Sequence, residues 1–329
     1  MRLIRPSFKI KTNTNTLLAL EQAGRVCYKS EDKITEDSAE KFIKMLIRRG
    51  HESVLEHTRL CFSISSPLFR DMSDLYIHLY ELTKSEVVGV EITGQGNTVY
   101  LSLNMRSLRD ALRIFGLKNP LVQELANAVN EKYPIFTEDL FLKKLYKTRP
   151  RNIHILSNID VFNALPPLEA AKHINASVQV ICDRGVSHEI VRHRVFSFSQ
   201  ESTRYVKYNG DMEFILPPWV DIRPGSYADA LDIDNSIDIN SRIWATSVYT
   251  AAATYAMLTG DEGWKPEQAR SVLPNSLKTE LVMSATLSNW KHFFSLRAAK
   301  PAHPQMRELA YPMLDEFTEM YPTVFQEEI

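Results

Sequence analysis

Two distant stretches of this chain echo one another, and any fold must accommodate both. Asn119-Pro120-Leu121-Val122-Gln123-Glu124-Leu125-Ala126, followed by Tyr133-Pro134, echoes His303-Pro304-Gln305-Met306-Arg307-Glu308-Leu309-Ala310, followed by Tyr321-Pro322. Upstream of each, Leu103 to Leu112 resembles Ala285 to Phe294. A second register agrees: His57 lies nineteen residues before Tyr76, and His173 nineteen before Arg192. Self-similarity of this kind points to a partial duplication. The copies are unequal. Where the later copy has Arg192-His193-Arg194 the earlier has Tyr76-Ile77-His78, and Phe115 stands at the place of Arg297. The earlier copy lacks cations for an anionic ligand, so it is expected to be structural, packed on the core or on a neighbouring subunit.

Composition closes off several classes. The 329 residues are 44% hydrophobic and 24% charged with formal net charge −1, an ordinary globular balance. A near-neutral chain has no general electrostatic pull toward nucleic acid or a membrane surface. Cys27, Cys61 and Cys182 are widely spaced, so neither a disulfide framework nor a metal site is expected. No run approaches the roughly 18 apolar residues of a membrane span. The opening Met1-Arg2-Leu3-Ile4-Arg5-Pro6 lacks a signal-peptide core, and a reducing cytoplasm is the expected compartment.

The element pattern is mixed. After a short opening strand, Leu20 to Tyr28 reads as a helix. A second helix, capped by Thr35, has Ala39, Phe42, Ile43, Leu46 and Ile47 on one face and Gly50 as its stop. Leu60, Phe62 and Ile64 alternate with polar residues as a half-buried strand, and Ser66-Pro67 looks like a helix start. Ile174, Ala176, Val178 and Val180 form another alternating strand. A long helix from about Ser241 to Leu258 carries Ile243, Trp244, Val248, Ala251, Ala252 and Tyr255 as core. Pro266 opens a short helix that Pro274 closes. Leu281 to Thr286 reads as a buried strand and Ser288 to Phe294 as a helix. The last helix buries Met306, Leu309, Ala310, Met313, Leu314 and Phe317.

The chemistry concentrates in Arg192-His193-Arg194-Val195-Phe196-Ser197-Phe198-Ser199-Gln200-Glu201-Ser202-Thr203-Arg204-Tyr205. Three consecutive cations would fan out around a helix; they make better sense where a helix ends and the chain turns past a ligand. Arginine forks suit phosphate or carboxylate, and Ser202 and Arg204 can close on the same anion. A solvated basic turn is the alternative, but such a turn has no need of two phenylalanines and a tyrosine among the polar groups. Upstream, His51-Glu52-Ser53-Val54-Leu55-Glu56-His57 admits two readings, metal ligands or a tight polar turn; its spacing differs from the His-Glu-x-x-His helix of zinc proteases. Arg270 lies beside the Pro274 stop, on the surface or reaching into a site. Ser202 has no base at fixed spacing and is assigned to binding. No Gly-x-Gly-x-x-Gly fingerprint is present, so a dinucleotide would not sit on a Rossmann fold.

Arg192-His193-Arg194, seven residues and then Ser202 resembles the signature of the flavin-dependent thymidylate synthases. The His51 to His57 stretch is similar to that family's His-x-Ser/Thr-x-x-Glu-His element, Ala269-Arg270 with Leu273-Pro274 to its Ala-Arg-x-x-Leu-Pro, and Phe294-Ser295-Leu296-Arg297 to the element whose arginine holds the pyrimidine. The resemblance covers residues 1–64 and 175–329, leaving 65–174 as an insertion that contains the degenerate copy. It implies an α+β fold of helices and antiparallel sheet, and an active site built from several subunits of a homotetramer.

It further implies conversion of dUMP to dTMP, with methylenetetrahydrofolate as carbon donor and FAD, reduced by NADPH, as hydride source. Arg297 would be catalytic. Glu189, Arg192, Gln200, Glu201, Ser202, Thr203, Arg204, Arg270 and Arg297 would bind dUMP. His51, Ser53, Glu56, Arg192, His193, Arg194, Gln200, Thr286 and His292 would bind FAD, with no metal. The chain departs from the family at Thr286 and His292, where the family has asparagine, and at Glu189, where many members have glutamine. A non-catalytic nucleotide- or RNA-binding protein that reuses the basic pocket is the alternative; no nucleic-acid partner and no membrane are expected for the enzyme.

Overall fold

In this computed structural model, which describes residues 1–11, 15–65, 71–116, 118–141, 153–208, 212–229, 232–233, 237–260 and 263–326, the alternating stretches become strands of two four-stranded antiparallel sheets. The earlier part of the chain runs β1 (Arg2–Ile4), β2 (Ser7–Lys11), α1 (Thr16–Val26) and α2 (Ser38–Arg48), then a 3-10 turn over Glu52–His57. It continues through β3 (Arg59–Ser65), α3 (Met72–Lys84), β4 (Glu91–Gln95), β5 (Thr98–Asn104), α4 (Met105–Phe115), α5 (Pro120–Lys132) and α6 (Glu138–Phe141). The later part starts with β6 (Ile153–Leu156), α7 (Asn158–Ala164), α8 (Pro167–Ala170), β7 (Asn175–Asp183), α9 (Arg184–Ile190) and β8 (Ser197–Gln200). There follow β9 (Glu213–Ile215), β10 (Gly225–Ser226), α10 (Ile239–Thr259) and α11 (Pro266–Ala269). The chain closes with β11 (Lys278–Thr286), α12 (Leu287–Arg297), α13 (Pro304–Met320) and α14 (Pro322–Phe325).

The two large sheets have the same topology. Their strand orders are β4-β5-β3-β6 and β8-β11-β7-β2, and the registers coincide. Arg59 faces Asn104 in one, and Asn175 faces Thr286 in the other. Ser102 faces Glu91, and Ser284 faces Ser197. Asn104 and Thr286 then cap α4 and α12 with their side chains, Asn119 and His303 stand at the N-cap before a proline, and Tyr133 and Tyr321 end α5 and α13 with nearly the same backbone angles. The sequence echo is therefore carried by an equivalent set of strands and helices. β4, β5 and β6, the described strands between 65 and 174, form one sheet with β3.

The halves are interlocked. β2 joins the later sheet and β6 the earlier one. His57 bonds Ser284 Oγ at 2.7 Å and Ser199 Oγ at 2.9 Å in the later sheet, while His173 bonds Ser102 Oγ at 3.0 Å and Thr93 Oγ1 at 2.9 Å in the earlier one. Burial pushes both imidazoles down to about 4, so each is neutral and donates through one nitrogen while accepting through the other. One apolar core joins β3, β5, α4 and α5; a second joins β7, β11, α12 and α13 around Trp290, whose indole donates to the Ala176 carbonyl. A third gathers on the small sheet β10-β1-β9 and α10. Among the described residues, β1 with β9 is the single parallel pair, and the α+β expectation holds.

Local details differ from expectation where hydrogen bonds decide them. α1 begins at Thr16 because Asn15 Oδ1 accepts from the Leu17 and Leu18 amides. Thr35 does not cap α2; Asp37 occupies the N-cap, and Ser38 Oγ bridges the Thr35 amide to Glu21. Gly50, at φ 72°, follows the α2 cap as expected. On α10, Ile243 is 61% exposed rather than core, since only the face of Ala245, Val248 and Tyr255 meets the small sheet. The helix start at Ser66-Pro67 lies outside the described residues.

Candidate active site

The Arg-His-Arg cluster lies in a turn. Asp183 Oδ1 accepts from the Val186 amide and starts α9; the helix stops at Ile190, and the Arg192 and His193 amides fold back onto the Glu189 and Ile190 carbonyls before β8 begins. The turn is held by its aromatic residues: buried Phe196 packs edge-on to Trp290 with centroids 4.9 Å apart, and Phe293 meets the His193 ring at 5.0 Å. Arg192 and Arg194 are exposed beside it, and neither side chain has a hydrogen-bond or ion-pair partner among the described residues.

Arg297, the last residue of α12, is delivered to the same turn. Its Nε donates to His193 Nε2 at 2.9 Å, and its Nη1 donates to Glu189 Oε2 at 2.9 Å. Nη2 lies 3.4 Å from the Glu189 carbonyl oxygen. Because His193 accepts at Nε2, its proton belongs on Nδ1; burial, then the Arg297 and His292 charges, lower its pKa to about 4 and hold it neutral. Glu189 is thereby paired with Arg297. His292 projects from α12 into solvent.

A second group gathers around the 3-10 turn of Arg270. Its Nη1 donates to Thr203 Oγ1 at 3.4 Å, Ser202 Oγ accepts from the Arg204 amide, and the Arg204 guanidinium lies over the Tyr205 ring. Tyr205 stacks on Tyr28, which stacks on and hydrogen-bonds His51. Glu201 and Gln200, expected on the ligand, are turned into the protein. Glu201 is 3% exposed and accepts from Lys278 Nζ and Tyr208 Oη. The Gln200 amide donates to Ser187 Oγ and Thr279 Oγ1. The strand places Gln200 on the face of its β11 neighbour, and β-strand alternation leaves no other direction for it. Among the described residues no hydrogen bond or ion pair joins the Arg270 group to the Arg297 group.

A third arrangement lies between the halves. A cleft of about 360 Å³ is lined by Glu56, Arg194 and Thr286, three of the expected flavin-binding residues, and by Arg59, Asn104 and Arg106. His51 and Ser53 are exposed on the turn that carries Glu56. That turn is tied to α4: Arg109 and Arg113 donate to Glu52, and Arg106 donates to Glu56 at 2.5 Å. Burial alone would raise the Glu52 pKa, but hydrogen bonds from Arg113 and Arg109 reverse the sign and lower it. Arg59, Asn104 and Arg106 were not singled out from the sequence. The repeat register was the available signal, since it sets Asn104 at the place of Thr286.

Elsewhere, no grouping of three or more His, Cys, Asp or Glu among the described residues could hold a metal ion. No described helix is long and apolar enough to cross a membrane.

Comparison with known proteins adds the following. The profile of the family described as thymidylate synthase complementing protein matches residues 10–70 and 164–323, about two thirds of the chain. A flavin-dependent thymidylate synthase of Corynebacterium efficiens is 32% identical over 158 residues, 47% of this chain and 62% of the relative. One from Mycobacterium sp. (strain JLS) is 30% identical over 193 residues, 54% of this chain and 72% of the relative. The chain thus spans less than two thirds of the length of the Corynebacterium relative. The crystal structure of a UMP/dUMP methylase, PolB from Streptomyces cacaoi, superposes with a TM-score of 0.42 at 17% identity over 99% of this chain and 96% of that one. From the span of the profile match, this chain belongs to the thymidylate synthase complementing protein family.

Proposed function

We propose that the protein is a flavin-dependent thymidylate synthase that converts dUMP to dTMP, with methylenetetrahydrofolate as carbon donor and NADPH as reductant. The observation that carries this reading is the Arg297 guanidinium, fixed by Glu189 and His193 beside the Arg-His-Arg turn. Three of its five N–H groups are engaged, which leaves two to donate to a ligand. Against the carbonyl edge of a pyrimidine, those donors stabilise the negative charge that develops as the ring becomes nucleophilic at C5. Charge already in place for that moment is usually a large part of catalysis. Neutral His193 holds the guanidinium without competing for its charge.

Arg270 and Arg204, exposed and without carboxylate partners among the described residues, suit the nucleotide phosphate, with Ser202 and Thr203 beside them. The cleft between the halves suits FAD, because Arg59 and Arg194 line it with no ion-pair partner among the described residues. Bound reduced flavin supplies the hydride; the protein orients, supplies charge and excludes water. The separation of the Arg270 and Arg297 groups is consistent with sites completed by other subunits of a homotetramer. An exposed stripe of Ile243, Thr246, Thr250, Ala253 and Met257 along α10 supports association, and light scattering after gel filtration measures it. We assign the enzyme to the cytoplasm.

The test is an anaerobic absorbance spectrum of the protein with FAD, then NADPH, with and without dUMP. A bound-flavin spectrum that bleaches with NADPH at a rate dUMP alters, followed by dTMP formation, is the expected result. Nucleotide binding without any flavin binding would overturn it in favour of a non-catalytic binding protein.

A further inference from the structure

The cleft between the halves is lined by topologically equivalent pairs. Arg59 and Asn175 both line it, as do Asn104 and Thr286, and Glu91 and Ser197. Each half thus turns the same edge toward a common space. The charges are not equivalent. The later half presents Arg194, three residues before Ser197; the earlier half has Val88 at that place, three before Glu91. In return the earlier half presents Arg59, where the later half has Asn175. The cations of the two halves thus stand at different points of the common wall.

Arg59 is held in an unusual way for an arginine. Its Nη1 donates to the Ser102 carbonyl at 3.1 Å and to Ser102 Oγ at 3.0 Å, both neutral acceptors. No carboxylate among the described residues lies within ion-pair distance of it, and desolvation lowers its pKa to about 10 despite the more distant Glu91. A desolvated guanidinium without a counter-ion is costly unless an anion arrives. Both Arg59 and Asn104 line the cleft, and Gly89, at φ 72°, lies against this corner: a Cβ there would come within 3.3 Å of Asn104 Nδ2 and 3.6 Å of an Arg59 terminal nitrogen, so a side chain at 89 would crowd both donors. Arg106 is already occupied by Glu56 and Asp110 and is better suited to holding the wall in place.

We propose that the earlier half of the chain is part of the ligand site, with Arg59 and Asn104 forming the wall that binds the diphosphate of the flavin dinucleotide opposite Arg194. This rests on the flavin reading above. Because the two halves contribute different cations, the cleft takes one dinucleotide per chain in one orientation. Asn104 caps α4 through Oδ1 and keeps its Nδ2 amide as a donor, at the position where the later half has the Thr286 hydroxyl capping α12.

The experiment measures binding of FAD and of riboflavin, which lacks phosphate, by flavin fluorescence to the full-length protein and two variants. Asn104→Asp keeps the helix cap, since aspartate accepts from the Ser107 amide as asparagine does, but sets a carboxylate beside Arg59. Arg59→Met removes the cation and keeps the stem. Both are expected to weaken FAD about tenfold to a hundredfold and to leave riboflavin affinity unchanged, with saturation at one FAD per chain. Unchanged FAD affinity in N104D, folded by circular dichroism, would overturn the proposal, as would equal losses for FAD and riboflavin. Absence of flavin binding by the wild-type protein would instead remove the flavin reading itself.

Discussion

Lys278→Met tests whether the buried charges behind the nucleotide loop act as a unit. The Lys278 side chain is 7% exposed and its ammonium meets Glu201 at 3.1 Å and Glu280 at 3.4 Å, carboxylates that are 2% and 17% exposed. Burial alone would lower the lysine pKa; the two carboxylates more than offset it and raise the value. Methionine fills the same space without charge, so the loss is electrostatic. Glu201 keeps the Tyr208 hydroxyl and Glu280 keeps Gln179, but neither retains its cation. Removing one partner of a buried pair costs about 3–5 kcal/mol, a large share of a stability of roughly 5–15 kcal/mol. Urea unfolding of wild type and variant at pH 7.5 measures the difference directly, and Glu201→Gln in the same background should restore part of it, because it removes the stranded charge. A deficit below about 1 kcal/mol, or no recovery with Glu201→Gln, would refute the reasoning.

Arg297→Ala should lower kcat for dTMP formation by about a hundredfold to a thousandfold while the chain stays folded, because the Glu189 carboxylate it leaves behind is 39% exposed and can be hydrated; full turnover would remove its catalytic assignment. Arg270→Ala should raise the Kd for dUMP about tenfold or more by equilibrium dialysis, and an unchanged affinity would count against the phosphate role. His57 and His173 are held at about 4, below their usual 6.5. Their stabilisation is complete above the unfolded value and is lost as pH falls toward 4. From these two the unfolded chain then binds roughly two more protons, which lowers stability by up to ~2.7 kcal/mol per pH unit in that window, and half-buried His193 adds in the same direction; urea midpoints that stay flat from pH 7 to 5 would contradict this. Gly24→Ala would normally favour a helix by roughly 1 kcal/mol, but the new Cβ would lie 2.7 Å from the Phe42 ring and 3.1 Å from Val54. A net loss of about 1–3 kcal/mol is expected in chemical denaturation, and a gain would show that α1 and α2 can separate.

Much of this was legible along the chain because the relevant signals are local. Alternation in Leu60-Phe62-Ile64 and Ala176-Val178-Val180 predicts strands since side chains on a strand point alternately to opposite faces. The Arg-His-Arg turn follows from the crowding of three cations after a short helix. Gln200 and Glu201 show the limit of that reasoning. Both stand beside residues proposed to bind the nucleotide, and their side chains are held by Ser187 and Thr279 for Gln200 and by Lys278 and Tyr208 for Glu201. Those partners come mostly from β11 and α9, and spacing along the chain says nothing about which strand lies alongside.

What the sequence by itself determined is the repeated unit, its strands and caps, and the residues that give the later copy its cations; each depends on neighbours within a few turns of chain. Only the tertiary structure decided where the halves meet. His57 reaches Ser284 across more than two hundred positions and His173 reaches Ser102 across more than seventy, and Arg59, Asn104 and Arg194 come to line one cleft. The cause is physical: buried polar groups must find partners, and for these the partners lie in the other half, at distances the linear order does not express.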